Sequence, residues 1–490
     1  MNPTNDTLAL MKAALGGDDT ISKTITTANG LVAYDLQAPA KNLYPVYTPL
    51  RNKIPRVPSG VGVATNWRTV SSIVGSGFDN QAWIPEGQRS GRMSYNTVPK
   101  AANYVTIGEE DSVTFEAVNA GKTFEDVRAT MASRLLQKLM LKEENAILGG
   151  NASLQLGTPA TPTLSAQALA GATLPALTYS VIAVALTQEG FYNSSVSGGV
   201  ALAKTVTGAD GGSYTIKGGS SNKSANATQV VTLGQSLTAT ATTIQGAIAW
   251  AWFVGPVGSE TLQAITTTNQ LILSTPLAAG MQAATAITTD NSANPGLAYD
   301  GLLTAALNPA NQAYVKTMAT GNAGLTSSGR GSVVEIDTML KSMWDNYQLT
   351  ATVMYVNSQE MLNITNKVMS SASGTILRYN NAGNDPYAIV AGGQVSSYFN
   401  PFMPDGGAII PVKIHPKVPP GTVIVWAEEL PMYYQNNEVS NVAEVKLRAD
   451  YYSLDWPVRT RQYETGVYAE GVLAIYATFA LGVITNITNA

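Results

Sequence analysis

Residues 121–150, GKTFEDVRATMASRLLQKLMLKEENAILGG, decide how the rest of the chain is read. Phe124, Val127, Met131, Leu135 and Leu139 recur at the three-and-four spacing of an apolar helix face. The pattern predicts one helix of about 25 residues. Thr123 stands where an N-cap belongs, with Asp126 three positions on in a capping-box arrangement and Glu125 beside it in the first turn. Gly149 and Gly150 supply a stop. The surrounding chain is rich in Val, Thr, Ala and Gly, so a lone long helix reads as a rod on which sheets lean.

Composition sets the scale. A chain of 490 residues buries a large core and divides into two to four domains. Charged residues make up only 13%, against about 25% in ordinary soluble domains. Small polar residues or other subunits must therefore cover the surface, and assembly is the favoured reading. A net charge of −4 argues against a chain whose main work is gripping nucleic acid, although a local basic patch stays open. With no cysteine, disulfides, thiolate metal sites and cysteine nucleophiles are excluded. Residues 1–15 show neither the basic leader nor the cleavage site of a secretory signal. The most apolar run, 467–484, contains Glu470, Gly471 and Gly482 and suits a buried strand better than a membrane helix. No membrane contact is expected.

Residues 1–60 are broken by Pro39, Pro45, Pro49, Pro55 and Pro58 and read as an irregular arm, disordered or lying across a neighbour. Residues 61–118 read as a β arm, with a loop at Pro85-Glu86-Gly87 and a returning strand through Tyr104, Val105 and Ile107. From 158 to 298 charges nearly vanish, and strand signals recur at 179–186, 200–206, 213–216, 229–233, 247–254 and 270–274. That spacing, with no helical window, predicts an inserted β-sandwich of immunoglobulin or fibronectin type, and the alternating large residues of 248–253 predict a half-buried strand. After Gly301 the pattern is mixed α/β: a capping box at Ser332 and Glu335, a strand at 350–356, and a helix starting at Asn357. β signals return from Gly392, with a proline loop at 416–420.

Candidate chemistry is sparse. His415 is the only histidine, which excludes multi-histidine metal sites and makes a structural role the better reading. The stretch 218–224, GGSSNKS, lacks the glycine before its lysine and reads as a turn rather than a phosphate loop. Glu109-Glu110-Asp111 and Glu428-Glu429 read as solvated edges rather than cation sites. Arg134, Lys138 and Lys142 step by four along the helix, a like-charged stripe that mildly destabilises it. Either the stripe is a solvated flank, or it faces an acidic neighbour or a polyanion.

The order of these parts resembles the major capsid protein of tailed double-stranded DNA phages, a Hong Kong 97-like fold shared with encapsulins and herpesvirus capsid floors. The resemblance rests on Trp83-Ile84-Pro85-Glu86-Gly87, Ser112-Val113-Thr114-Phe115-Glu116-Ala117, the long helix ending in Glu143-Glu144-Asn145-Ala146-Ile147-Leu148-Gly149-Gly150, Gly301-Leu302-Leu303, and the terminal run 468–477. It implies an α+β class with an N-terminal arm at 1–60 and an extended β loop at 61–111. It further implies a peripheral domain at 112–157 and 431–490 with spine helix 121–150, and an axial domain at 299–430. The all-β immunoglobulin-like sandwich at 158–298 is an insertion into that plan.

The implied function is structural and non-enzymatic, without cofactor or metal. Copies form pentamers and hexamers of an icosahedral shell around packaged double-stranded DNA, which they touch weakly and without sequence preference. The implied location is the virion capsid, assembled in the host cell cytoplasm. Only about 120 residues precede the helix, which leaves no room for a fused helical scaffolding domain, so the resemblance implies a separate scaffolding protein or a self-assembling shell; a portal and a decoration protein belong to the same picture. Candidate assembly or DNA-facing residues are Arg134, Lys138 and Lys142 on the helix, and Trp83, Glu86, Arg89 and Arg92 on the β arm. Rival readings are an encapsulin-like cargo compartment, and a sandwich adhesin or fibre component binding carbohydrate through Tyr179, Trp250 and Trp252.

Overall fold

The structure is a computed structural model that describes residues 45–58, 60–76, 80–122, 125–320, 324–329, 331–371, 394–403, 406–431 and 441–489. Most of the expected N-terminal arm, and Thr123 and Phe124 of the expected helix start, lie outside them.

Helix α1 (Pro49–Lys53) and strand β1 (Arg56–Pro58) lead into an antiparallel pair, β2 (Ala64–Val74) and β3 (Ser94–Asn103). Strand β4 (Val105–Thr114) follows, then the short helix α2 (Phe115–Gly121) and the long helix α3 (Val127–Gly149). The expected long helix is α3, one helix of 23 residues, while α2 precedes it at the end of the segment expected as a β arm. Asp126 itself is the cap, its Oδ1 accepting from the N–H groups of Arg128 and Ala129, so α3 begins at Val127. Its apolar face serves two cores. Met131, Leu135 and Leu139 pack with Val113 and Val467, while Ile147 and Leu148 enter the main core.

Between 163 and 273 two antiparallel sheets face each other. One joins β5 (Thr163–Ala168), β10 (Gln235–Thr240) and β13 (Gln270–Leu273) in the order β13-β10-β5. The other joins β6 (Leu177–Leu186), β9 (Ala227–Val231), β11 (Ala249–Gly255) and β12 (Thr261–Thr266) in the order β12-β11-β6-β9. Trp250, Trp252, Tyr179 and Val181 fill the space between the sheets with Leu237 and Leu271. The opposite face of β11, Ala249, Ala251 and Phe253, is buried too, against Leu262, Ala284 and Ile287. Strand β11 is therefore buried on both sides, not half-buried as its alternation predicts. A short helix, α4 (Gln188–Asn193), leaves β6, and a small hairpin of β7 (Lys204–Thr207) and β8 (Ser213–Ile216) stands apart.

Helix α5 (Leu302–Leu307) returns the chain to the main core, and Gly301 before it lies so close to Ala146, Ile147 and Gly149 that a Cβ would strike helix backbone. Strands β14 (Tyr314–Thr317), β15 (Val353–Val356), β16 (Ser397–Asn400), β17 (Ala408–Ile414), β18 (Val423–Trp426) and β21 (Leu481–Thr485) form a six-stranded mixed sheet in the order β14-β21-β18-β15-β17-β16. Helices α6 (Val334–Tyr347) and α7 (Ser358–Ser371) cover it. Long strands β19 (Ala443–Asp455) and β20 (Gln462–Ile475) make a second sheet, ordered β1-β19-β20-β4. The expected division at 431 does not follow sheet membership, because β21 belongs with the six-stranded sheet.

Two expected caps behave differently. Asn357 caps α7, accepting from Gln359 N–H. The expected box at Ser332 and Glu335 does not form: α6 starts one residue later, Ser332 Oγ donates to Asp337, and Glu335 accepts from Thr326 N–H.

Glu360, in the first turn of α7, is buried and accepts from Gly421 N–H and Asn363, while its Oε2 has no partner among the described residues. Burial pushes its carboxyl up to about 7, and the two hydrogen bonds oppose that only partly. The folded state therefore holds this proton more tightly than the unfolded chain. The destabilisation is absent below about pH 4.5, grows as pH rises towards 7, and is complete above it. Glu360→Gln is expected to raise stability by about 2 kcal/mol above pH 8 and to leave it unchanged or slightly lower at pH 4. Denaturant midpoints at the two pH values check this, and an equal shift at both would refute the assignment.

Candidate functional site

The sequence candidates fall on two surfaces. The first is the β2–β3 pair, a two-stranded sheet of its own. Trp67 packs edge-on against Tyr476, and Lys100 Nζ donates to Asn311, fixing its base. At the other end, Gly87 takes a φ of +78° and Gln88 N–H donates to Pro85, closing a tight turn. Between these ends most of the described residues are open to solvent. Trp83 is 92% exposed, Ile73 65%, Tyr95 63% and Val70 54%, and Glu86, Arg89 and Arg92 are exposed with them. A bare hairpin is marginally stable at best in water, and the apolar residues it leaves in solvent form a surface suited to association.

The second surface is the outer flank of α3. Arg134 and Lys138 are exposed and form no ion pair among the described residues. Lys142 is different: it pairs with Glu109 on β4, and burial lowers its ammonium below the usual lysine range. The expected three-residue stripe is thus two free cations and one that ties the helix to the sheet. Towards the helix start, Arg128 stacks 4.4 Å over the Tyr463 ring and reaches Asp455 at 3.5 Å.

A third site carried no signal in the composition. Glu143 and Glu144, consecutive on α3, are both almost wholly buried. Glu143 accepts from Arg51 Nε at 3.1 Å, from Arg56 Nη1 at 2.5 Å and from the Tyr451 hydroxyl. Both guanidinium carbons lie 5.1 Å from the centre of the Tyr451 ring. Burial and Glu143 push the Tyr451 phenol up to about 12; burial works against the Arg56 charge, but Glu143 and Asp450 outweigh it and raise its pKa. Glu144 accepts from the backbone N–H groups of Leu50 at 3.0 Å and Arg51 at 2.7 Å, which are unsatisfied donors of α1. It also receives His415 Nε2 at 2.6 Å. The helix thus grips the root of the arm with two carboxylates. The legible clue was a charged pair one turn before Ile147 and Leu148, where the apolar face continues.

The remaining candidates resolve into structure. In 218–224, Ser221 and Ser224 hydroxyls accept from Ala185 and Ala183 N–H groups, and their own N–H groups donate back to β6 carbonyls. The serines complete a sheet edge and cradle no phosphate. Tyr179, Trp250 and Trp252 are core residues, which removes the carbohydrate platform of the adhesin reading. Glu109 holds Lys142, Glu110 accepts from the Tyr468 hydroxyl, and Glu428 pairs with Lys53. Among the described residues no cluster of three metal-ligating side chains occurs, and no helix is long and apolar enough to cross a membrane.

No family model matches the chain, and no curated protein matches it. Among solved structures it is similar to the capsid of an empty GTA particle, at 9% identity and a TM-score of 0.45 over 96% of this chain and 100% of that one. The capsid of Myoviridae phage XM1 gives 9% identity and 0.41 over 95% and 100%. The SrpI encapsulin of Synechococcus elongatus PCC 7942 gives 8% identity and 0.41 over 96% and 98%.

The buried carboxylate pair makes a sharp stability contrast. Glu143→Gln leaves the partly buried Arg51 without its counter-charge and Arg56 with only the exposed Asp450, and is expected to cost about 3 kcal/mol. Glu116→Gln, which breaks an exposed pair with Arg461, is expected to cost under about 0.5 kcal/mol. Urea midpoints at constant m-value report both, and similar losses would contradict the anchoring role of Glu143.

Proposed function

We propose that this chain is a shell subunit, a major capsid protein whose copies tile a closed icosahedral surface around packaged double-stranded DNA. The observation that carries the reading is the β2–β3 hairpin. It projects as an isolated pair with Trp83, Ile73, Tyr95 and Val70 in solvent, an arrangement that makes physical sense when a second copy covers it. An extended element of this kind adds interface area beyond what a compact body reaches, and several such contacts per subunit close a shell by multivalency. A charged fraction of 13% suits surfaces destined to be covered.

On this reading, segments 112–157 and 431–477 with helix α3 act as the peripheral unit, 299–430 with β21 as the axial unit, and 158–298 as an immunoglobulin-like module displayed on the particle. Pentamers and hexamers form from the one sequence through flexing of the hairpin. Arg134 and Lys138 are the DNA-facing residues, their charge too sparse to bind tightly and sufficient to neutralise a few phosphates. A scaffolding protein, a portal and a decoration protein are the partners of such a shell, in a virion built in the host cytoplasm.

Electron microscopy of the purified chain is expected to show closed shells, and persistent monomers or rods would end the proposal. Trp83→Ala with Ile84→Ala is expected to cut shell yield at least tenfold while the thermal unfolding of free subunits is unchanged. Lys138→Glu with Arg134→Glu is expected to leave shell yield intact and to lower the nucleic-acid content of particles, read as the absorbance ratio at 260 and 280 nm. Unaltered content would remove α3 from the DNA-facing surface.

A further inference from the structure

The loop 415–421, between β17 and β18, is gripped from four directions. From α3, Glu144 meets His415. From the sandwich, Gln188 Nε2 donates to the Lys417 carbonyl at 3.2 Å, the Tyr192 hydroxyl donates to the Pro416 carbonyl at 3.1 Å, and Lys417 Nζ sits 4.8 Å from the centre of the Tyr192 ring. From α7, Asn357 Nδ2 donates to the Val418 carbonyl and Glu360 accepts from Gly421 N–H. From beyond β21, Ile487 N–H donates to the Gly421 carbonyl.

His415 occupies the centre of this arrangement and is fully buried. Its Nδ1 accepts from Lys417 N–H at 3.1 Å, so the ring proton resides on Nε2 and is donated to Glu144 Oε1. The same Oε1 accepts from Leu50 N–H, and Oε2 accepts from Arg51 N–H. One unbroken series of hydrogen bonds therefore runs from α1, through Glu144, His415 and Lys417, to Gln188 on the sandwich helix α4. The series includes an element with two distinct states. Helix α1 has five residues, far too few to persist in water by itself, so it is either docked on Glu144 or unfolded.

We propose that α1 and the inserted sandwich are conformationally coupled through His415: docking of α1 tightens α4 against the body, and undocking of α1 loosens it. The loop carries the coupling because any rotation of the imidazole that follows Glu144 must break the Nδ1 bond to Lys417, whose carbonyl holds Gln188. Coupling of this kind is reciprocal, so loosening the sandwich must also loosen α1. A device of this sort makes the seating of the arm root legible on a distant module through the 415–421 loop.

Amide hydrogen exchange on the full chain, followed by mass spectrometry, tests the proposal. Glu144→Gln replaces one acceptor oxygen by a donor facing other donors. It is expected to speed exchange at least tenfold in α1 and in α4, with β11 in the sandwich core unchanged. Gln188→Ala, at the far end, is expected to speed exchange in α1, whereas Asn145→Ala, which removes only the direct bond from Gln188 to α3, leaves α1 alone. In a His415→Gln background, which keeps a donor towards Glu144 and loses the Nδ1 acceptor, Glu144→Gln no longer affects α4. If α4 ignores Glu144→Gln, or α1 ignores Gln188→Ala, the coupling does not exist. Should Glu144→Gln fail to fold, the reciprocal response of α1 to Gln188→Ala, and its loss in the His415→Gln background, decide the question.

Discussion

Two adjacent carboxylates inside one helix constrain this molecule more than any single apolar contact. Removing a charge from water costs several kcal/mol unless it is paired and fully hydrogen-bonded, so Glu143 and Glu144 dictate what surrounds them. Glu143 demands cations and receives Arg51 and Arg56, both against the Tyr451 ring; Glu144 demands donors and receives the start of α1 and His415. Once α1 is seated, β1 falls beside β19 in a parallel register from Arg56 opposite Val445. The hairpin that follows then has a fixed root. A hydrophobic replacement of the pair would fill the same volume without choosing a register.

The exposed hairpin and the sparse charge belong to one argument. A chain with 13% charged residues lacks the ions to dress a surface of 27640 Å². It relies on Thr, Ser, Asn and Gly for much of its solvent face and leaves apolar residues along β2 and β3. Free in solution those residues are a liability. Covered by a neighbour they are an interface, and the same side chains that threaten solubility then supply cohesion.

Much of this architecture was legible because periodicity is local. The long helix, the Pro85–Gly87 turn and most sandwich strands announce themselves within ten or twenty residues. The returning strand of the hairpin, however, is β3 (Ser94–Asn103), not the expected stretch through Tyr104, Val105 and Ile107, whose last two residues belong to β4 in another sheet. The helix start was misplaced because Thr123 and Asp126 are both good caps, and nothing local chooses between them. Strands β5, β10 and β12 escaped notice because Thr, Gln and Ser dilute their alternation. Sheet membership was not legible at all: 467–484 reads as one apolar run, yet β20 and β21 enter different sheets on either side of a single 3-10 turn. The role of His415 was hidden for the same reason. Its partner lies 271 residues earlier, and no pattern within a window predicts a contact at that distance.

That distance bears on how the chain reaches its native state. The sandwich pairs strands within a span of about 110 residues, and its core closes on itself, so it is equipped to form early. The sheet holding β1 and β19 is the opposite case, since Arg56 must find Asp450 at a sequence separation of 394. Until that closure the cluster of Arg51, Arg56 and Glu143 lacks Tyr451 and Asp450, β1 lacks its partner strand β19, and the hairpin has no fixed root. On the proposed shell reading, a copy still short of this closure has no fixed hairpin to offer a neighbour, so the long-range closure of the monomer doubles as a check on its fitness to assemble.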